Sequence, residues 1–76
     1  MTWNYRVIEF KSGDETHRAI HEEYYDADGK PNGYAESPGS LWWYENEDAE
    51  APVRMLERMR EALGKDVLTE KDFGKD

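Results

Sequence analysis

The strongest pattern of apolar and polar positions in the chain lies between Asp48 and Leu63. At about 100° per residue, a helix over this segment has one apolar side and one charged side. Asp48 is a candidate N-cap, Gly64 is a candidate left-handed C-terminal residue, and Pro52 favours a later start of the regular helix. The apolar side holds Pro52, Met55, Leu56, Met59, Ala62 and Leu63. The charged side holds Glu50, Arg54, Glu57, Arg58, Glu61 and Lys65.

Alternation with a period of two predicts two strands before this helix. Trp3 to Phe10 is rich in aromatic and β-branched residues and contains neither Gly nor Pro, which is typical of a strand. Thr16 to Tyr25 follows turn residues around Gly13 and is expected to complete a hairpin, with a short helix as the alternative. Neither face of the first strand is cleanly polar, so both faces are expected to be partly buried. Alternation puts Trp3, Tyr5, Val7 and Glu9 on one face and Asn4, Arg6, Ile8 and Phe10 on the other.

The segment after the hairpin carries several turn signals. Asp-Gly and Asn-Gly pairs lie on either side of Pro31 and predict reverse turns. A third strand is expected to start at Gly33–Glu36 and to resume at Ser40–Glu45, after an interruption by Ser-Pro-Gly. In the C-terminal tail, Val67, Leu68 and Phe73 are expected apolar contacts, Thr69 and Asp72 are expected to cap a last helical turn, and residues 74–76 are expected to fray.

These elements predict one small α+β domain over residues 1–76. The expected architecture is β-β-β-α, a three-stranded antiparallel sheet with a bent or split third strand and one long amphipathic helix on one face. One helix covers only one face of such a sheet. Because the chain has ten aromatic residues, we expect the other face to be notably apolar. Exposed apolar patches of this kind often mark protein contacts.

Composition narrows the function classes. The formal charge is −8, and residues 33–50 contain five acidic residues and no base. Phosphate binding needs clustered positive charge, so nucleic acid is not expected as a direct partner. The same charge permits a basic protein partner. The chain has no cysteine, and it shows neither a signal-peptide pattern nor a membrane span, so we expect a cytoplasmic protein without a disulfide framework.

Two short motifs suggest metal sites, and neither pattern is complete. His17 and His21 are four residues apart, but on a strand this spacing separates them by about 13 Å at roughly 3.3 Å per residue. Asp26 and Asp28 resemble the opening of a calcium loop, but the sixth position is Pro31 and the twelfth is not glutamate. We therefore expect no metal, and the absence of phosphate-loop and catalytic-triad patterns predicts no cofactor and no enzymatic activity.

Three segments carry a resemblance to known families. YRVIEF, AIHEEYYDADGKPNGYAES and MREALGKDVL resemble a family of small uncharacterised bacterial proteins over most of residues 4–68. The layout is also similar to the partial RNase-H-like domain of HicB-type antitoxins, in which a three-stranded sheet and a long helix bind an RNase toxin. The chain lacks the Pro-Gly-Cys-type segment and the separate DNA-binding segment that are common in those antitoxins. The resemblance implies a fold and a toxin-binding role, and it implies no active residue.

The sequence supports three function hypotheses. The first is a non-enzymatic interaction domain, antitoxin-like or not, that binds itself or another protein through the sheet face left free by the helix. The second is an acidic nucleic-acid mimic that occupies a basic groove, and the third is a residual small-ligand or enzymatic role. The expected interface residues are Trp3, Tyr5, Tyr24, Trp42, Trp43 and Tyr44. The expected acidic patch is Glu36, Glu45, Glu47, Asp48 and Glu50.

Overall fold

The structure is a computed structural model that describes residues 2–74. Its strands form one sheet in the order β3-β2-β1-β4, accompanied by one α-helix and a single turn of 3-10 helix. Of the tail that was expected to fray, Lys75 and Asp76 lie outside the described residues. The elements are β1 (Thr2–Ser12), β2 (Glu15–Tyr25), β3 (Pro31–Tyr34), α1 (Ala51–Ala62), β4 (Leu68–Thr69) and the 3-10 turn (Glu70–Phe73).

The predicted hairpin is confirmed. β1 and β2 pair in antiparallel fashion over eleven residues each, from Thr2 opposite Tyr25 to Ser12 opposite Glu15. Gly13 in the connecting turn has a φ of 62°, a conformation that glycine adopts without the steric cost a side chain would add. The alternative of a helix over residues 16–25 is therefore wrong.

The third strand begins two residues earlier than predicted, because the Asn-Gly pair expected as a reverse turn lies within it, and it is also shorter than predicted. Asp26 stabilises the turn before it, because its carboxylate accepts the backbone N–H groups of Asp28 and Lys30. β3 ends at Tyr34, although the N–H of Ala35 still donates to Glu22 and that of Gly39 to Ile20. Residues 40–45, expected as its continuation, are irregular. Gly39 itself lies against the Tyr5 ring, and beyond it residues 40–45 pair with no strand of the sheet.

The sheet has a fourth strand that the sequence did not predict. β4 is two residues long and runs parallel to β1, with Leu68 opposite Ile8 and Thr69 opposite Glu9. A three-stranded, purely antiparallel sheet is therefore wrong, while the α+β class is confirmed. The expected final turn is present, since the Asp72 carboxylate accepts the Thr69 N–H at 2.8 Å. β4 could not be predicted from the sequence, because a strand of two residues is too short to show a periodic pattern of apolar and polar positions.

The helix is confirmed and begins next to Pro52, as expected, but both predicted capping residues are wrong. α1 begins at Ala51 with Glu50 as N-cap, and the Asp48 carboxylate instead accepts the Glu50 N–H at 3.0 Å. Leu63 closes the helix in a right-handed conformation, and Gly64 is not among the glycines with positive φ. A left-handed residue is therefore not needed where α1 ends. No helix in residues 2–74 has the length and apolar character that crossing a membrane requires.

Both faces of the hairpin contribute to the core, as predicted. Tyr5 and Val7 are buried on one face of β1 and Ile8 on the other. The guanidinium of Arg58 in α1 lies 4.0 Å from the centre of the Trp3 ring, which places the helix on the face of Trp3, Tyr5 and Val7. We call this side the helix face and the Ile8 side the ring face. The small core is completed by Ala62, which is wholly buried.

Two of the six residues in the predicted apolar stripe of α1 are exposed. Ala62 is buried and Met59 is half-buried, but the side chains of Leu56 and Leu63 are 55% and 68% exposed. Arg58, expected on the solvent side, lies over the sheet instead. The helix is therefore rotated relative to the predicted stripe, because it packs chiefly along β1 and not across the whole sheet.

Candidate protein-interaction surface

Four consecutive apolar side chains are exposed in the loop between β3 and α1. They are 42%, 59%, 48% and 63% exposed in chain order, and the rings of Trp42 and Tyr44 meet edge to face at 5.4 Å. Large aromatic side chains with this exposure are the residues that most often anchor protein contacts. We call Leu41, Trp42, Trp43 and Tyr44 the aromatic segment.

Backbone hydrogen bonds hold the aromatic segment at both ends. On its N-terminal side, the N–H of Gly39 donates to the Ile20 carbonyl at 2.8 Å. On its C-terminal side, Tyr44 and Glu47 are bonded twice: the Tyr44 N–H donates to the Glu47 carboxylate, and the Glu47 N–H donates to the Tyr44 carbonyl. The exposed rings therefore sit on a fixed loop, which lowers the entropic cost of binding through them.

Carboxylates follow the aromatic segment directly. Asp48 is the only one of them with a cationic partner among the described residues, Arg54 at 3.5 Å, and both side chains are 63% exposed. The pKa of the Asp48 carboxyl lies below its ordinary value, chiefly because it accepts the Glu50 N–H and also because Arg54 lies beside it. We call Glu45, Glu47, Asp48 and Glu50, all of them exposed, the acidic segment.

The other exposed large apolar side chains lie on the same chain segment or on the helix face. In α1, Val53 and Leu56 are 50% and 55% exposed and follow the acidic segment by a few residues. Within residues 2–74, none of the large apolar side chains of the ring face reaches this exposure. The complete set is Trp3, Leu41, Trp42, Trp43, Tyr44, Val53, Leu56, Leu63 and Val67.

Three of the expected interface residues lie apart from the aromatic segment. Tyr5 is only 3% exposed, covered by Gly39 and by Arg58, so it is a core residue here. Burial raises the pKa of the Tyr5 hydroxyl, and the nearby Glu22 raises it further. Tyr24 is half-buried with its hydroxyl 3.4 Å from Glu22, while Trp3 is 39% exposed beneath Arg58. Of the expected acidic patch, Glu36 is exposed but precedes the aromatic segment.

The ring face carries an aromatic cluster and not an open apolar surface. Phe10 contacts His17, His21 and Tyr34, with ring centres 5.1 to 5.6 Å apart, and Phe73 of the 3-10 turn packs on Tyr34 at 4.9 Å. The buried His21 ring donates from Nδ1 to the Ala35 carbonyl at 2.8 Å. Both histidines thus serve packing. Among residues 2–74 no three metal-ligating side chains come together.

Glu23 on the ring face is a buried acidic residue that sequence analysis did not single out. Its side chain is wholly buried, and neither carboxylate oxygen forms a hydrogen bond of standard geometry, although the Tyr25 hydroxyl is close enough for Glu23 to raise its pKa. Arg6 lies near it, but its Nε is also buried without a partner, and its Nη2 donates to the Asp66 carbonyl. The one available sequence signal was that alternation put Glu23 on the same face of β2 as His21.

Two open hollows lie elsewhere on the surface. One of about 330 Å³ lies between the end of β1 and the 3-10 turn. The other, of about 270 Å³, lies between the sheet and the end of α1 and is mostly apolar. The first is lined by Glu9, Lys11, Thr69, Glu70 and Lys71. The second is lined by Val7, Arg18, Ala19, Ile20, Leu63 and Val67. Neither brings together side chains with a recognisable catalytic arrangement.

Comparisons of the chain with protein families, with curated proteins and with solved structures find no match. The resemblance to small bacterial proteins and to HicB-type antitoxin domains therefore stays a prediction from the sequence.

Proposed function

We propose that this chain is a non-enzymatic protein-interaction domain that binds another protein through its aromatic segment. The observation that carries the proposal is the run of four exposed apolar side chains from Leu41 to Tyr44 on a loop fixed by backbone hydrogen bonds. Leaving two tryptophans and a tyrosine in contact with water has a cost in the free domain, and partner binding removes that cost. An antitoxin-like role belongs to this class of function.

The contact surface in this proposal differs from the one expected from the sequence. The sequence pointed to the sheet face opposite the helix, but in the structure Phe73 and the 3-10 turn pack over part of that face. The exposed apolar side chains lie instead on the loop and on α1. We therefore assign the contact to the aromatic segment, with Val53 and Leu56 as further candidates on the adjoining helix.

Site-specific photo-crosslinking in the organism of origin tests the proposal. A photoreactive phenylalanine analogue at Trp43 is expected to give a discrete higher-mass adduct, because an anchor residue lies within reach of its partner. The matched control places the same analogue at Asp28, an exposed position in the β2–β3 turn. The Trp42→Ala substitution is expected to remove the adduct while leaving the far-UV circular dichroism spectrum unchanged, since Trp42 is 59% exposed.

The proposal fails if positions 43 and 28 give equal adducts, since the contact is then not specific to the aromatic segment. It also fails if neither position gives an adduct.

A further inference from the structure

We infer that the partner on the aromatic segment is a basic polypeptide segment with apolar anchors, and not a second copy of this chain. The inference rests on the proposed function and names the chemistry of its partner. It is carried by the juxtaposition of the aromatic segment with the acidic segment, which adjoins it along the chain.

The acidic segment keeps most of its charge available to a partner. Its carboxylates are exposed, and within residues 2–74 the ion pair of Asp48 with Arg54, at 3.5 Å, is the one cationic contact made by these four residues. Pairs with this exposure contribute little and remain accessible to competing cations. Glu47 is held in place by the Tyr44 N–H, so part of the negative charge is fixed beside the exposed rings.

A second copy is a poor occupant of this surface. In a two-fold dimer the same surface lies on both sides of the interface. Packing two aromatic segments together would bring two acidic segments close to one another, and each chain already carries a formal charge of −8. Like charges placed face to face across an interface are strongly unfavourable, whereas a cationic segment gains from the same arrangement.

The exposed indole rings also suit a cationic partner. Trp3 already binds a guanidinium in this way, with Arg58 4.0 Å above its ring centre. Trp42 and Trp43 offer the same type of ring face at 59% and 48% exposure. Arginine and lysine side chains of a partner stack on such rings, while their neighbouring apolar residues cover the rest.

Binding of a defined peptide tests the inference. The probe is a synthetic amphipathic peptide of about 14 residues made of lysine and leucine, and the matched probe replaces each lysine with glutamate. Binding is followed by tryptophan fluorescence and calorimetry. We expect the lysine peptide to bind and the glutamate peptide not to bind. Raising NaCl from about 50 to about 300 mM is expected to weaken binding several-fold without abolishing it, because apolar contacts survive screening.

Two variants of equal charge locate the binding. The double variant with Glu45→Lys and Glu50→Lys is expected to lower the affinity for the lysine peptide about tenfold. The double variant with Asp14→Lys and Glu15→Lys, at the hairpin turn, is expected to change that affinity about twofold or less, because attraction between nearby charges is stronger than the effect of net charge. Trp42→Ala with Trp43→Ala is expected to remove binding.

Several results would overturn the inference. If both peptides bind equally, the partner need not be basic. The same conclusion follows if the two charge variants weaken binding equally. Loss of all binding at the higher salt concentration indicates a purely electrostatic surface of the nucleic-acid-mimic type. A dimer in sedimentation that Trp42→Ala dissociates identifies a second copy as the occupant. In each of these cases a crosslink from position 43 to a different protein still supports the proposed function, so the two failures are distinguishable.

Discussion

Glu23 shows how a single residue departs from what its surroundings favour. A wholly buried carboxyl group that forms no hydrogen bond of standard geometry costs about 1–3 kcal/mol relative to a satisfied one. Its neighbours offer partial compensation only: Glu23 lies close enough to Tyr25 to contribute, after burial, to the raised pKa of that hydroxyl. Burial of the Glu23 carboxyl group therefore lowers the stability of the sheet.

We expect Glu23→Met to raise the free energy of unfolding by about 1–3 kcal/mol, because methionine fills a similar volume and needs no hydrogen bond. Urea denaturation followed by circular dichroism measures the change. The control is Glu15→Met at an exposed position of β2, which is expected to stay within about 0.5 kcal/mol of the parent. A loss of stability in Glu23→Met would show that the carboxylate has a favourable partner in solution.

Arg58 is a second residue whose position could not be read from periodicity. Periodicity placed it on the charged, solvent-facing side of the helix. In the structure its guanidinium lies over the Trp3 ring and donates to the Trp3 carbonyl at 3.2 Å. A long side chain with a flat cationic end covers an aromatic ring while its charge stays near water. An arginine in an amphipathic helix can therefore lie on either the solvent-facing side or the side that packs on the sheet.

At the scale of elements, one close contact fixes the loop that carries the aromatic segment. A Cβ atom added to Gly39 would lie 3.0 Å from Cε1 and 3.4 Å from Cδ1 of Tyr5. Any larger residue at this position would push the loop away from the sheet or displace the ring. Gly39 therefore sets the path of the chain from β3 to the aromatic segment.

We expect Gly39→Ala to lower the free energy of unfolding by about 1–3 kcal/mol, the usual cost of overfilling a packed site. Chemical denaturation measures it. Gly33→Ala is the matched control, since an added Cβ there meets nothing within 4 Å, and it is expected to be neutral or slightly stabilising. Equal effects of the two substitutions would mean that the loop is not held against Tyr5.

The helix is too narrow to cover the whole face of the sheet. α1 has twelve residues and packs chiefly along β1, while the sheet extends through β2 to β3. The apolar side of α1 is consequently shared between the core and solvent. The exposed Val53 and Leu56 follow from this mismatch between elements and not from any property of the helix sequence alone.

At the scale of the whole molecule, a small core supports a flat and highly charged domain. The extents are 42 × 32 × 21 Å, and the radius of gyration of 13.7 Å exceeds the value of about 11 Å expected for a compact domain of this length. The ion pairs are few and mostly exposed, as for Arg60 with Glu57, and they contribute little. Repulsion among the acidic residues therefore lowers the free energy of unfolding of a domain whose core is small.

We expect the thermal midpoint to rise when NaCl is raised from about 20 to about 300 mM, because salt screens the self-repulsion of a chain of formal charge −8. Differential scanning calorimetry measures it. A variant with Glu45→Gln and Glu50→Gln, which has two fewer negative charges, is expected to gain less from salt. A midpoint that falls with salt would show instead that attractive ion pairs dominate.

The local elements were largely predictable, because they depend on short-range patterns. The hairpin, the amphipathic helix and the Asp72-capped turn are confirmed. Of the candidate site, sequence analysis named Trp42, Trp43 and Tyr44 together with the acidic residues that follow them. It also named Tyr5, which is buried, because alternation assigns a residue to a face but does not say what covers that face.

The sequence by itself determined the period-two strands, the turn glycines such as Gly13, the helix and the uneven negative charge, since each depends on neighbouring residues alone. Only the tertiary structure decided that β4 pairs parallel with β1, that residues 40–45 leave the sheet, and that α1 is rotated to turn Arg58 inward. Those outcomes depend on which distant backbone groups and side chains meet. The exposure of the aromatic segment, on which the proposed function rests, belongs to this second group.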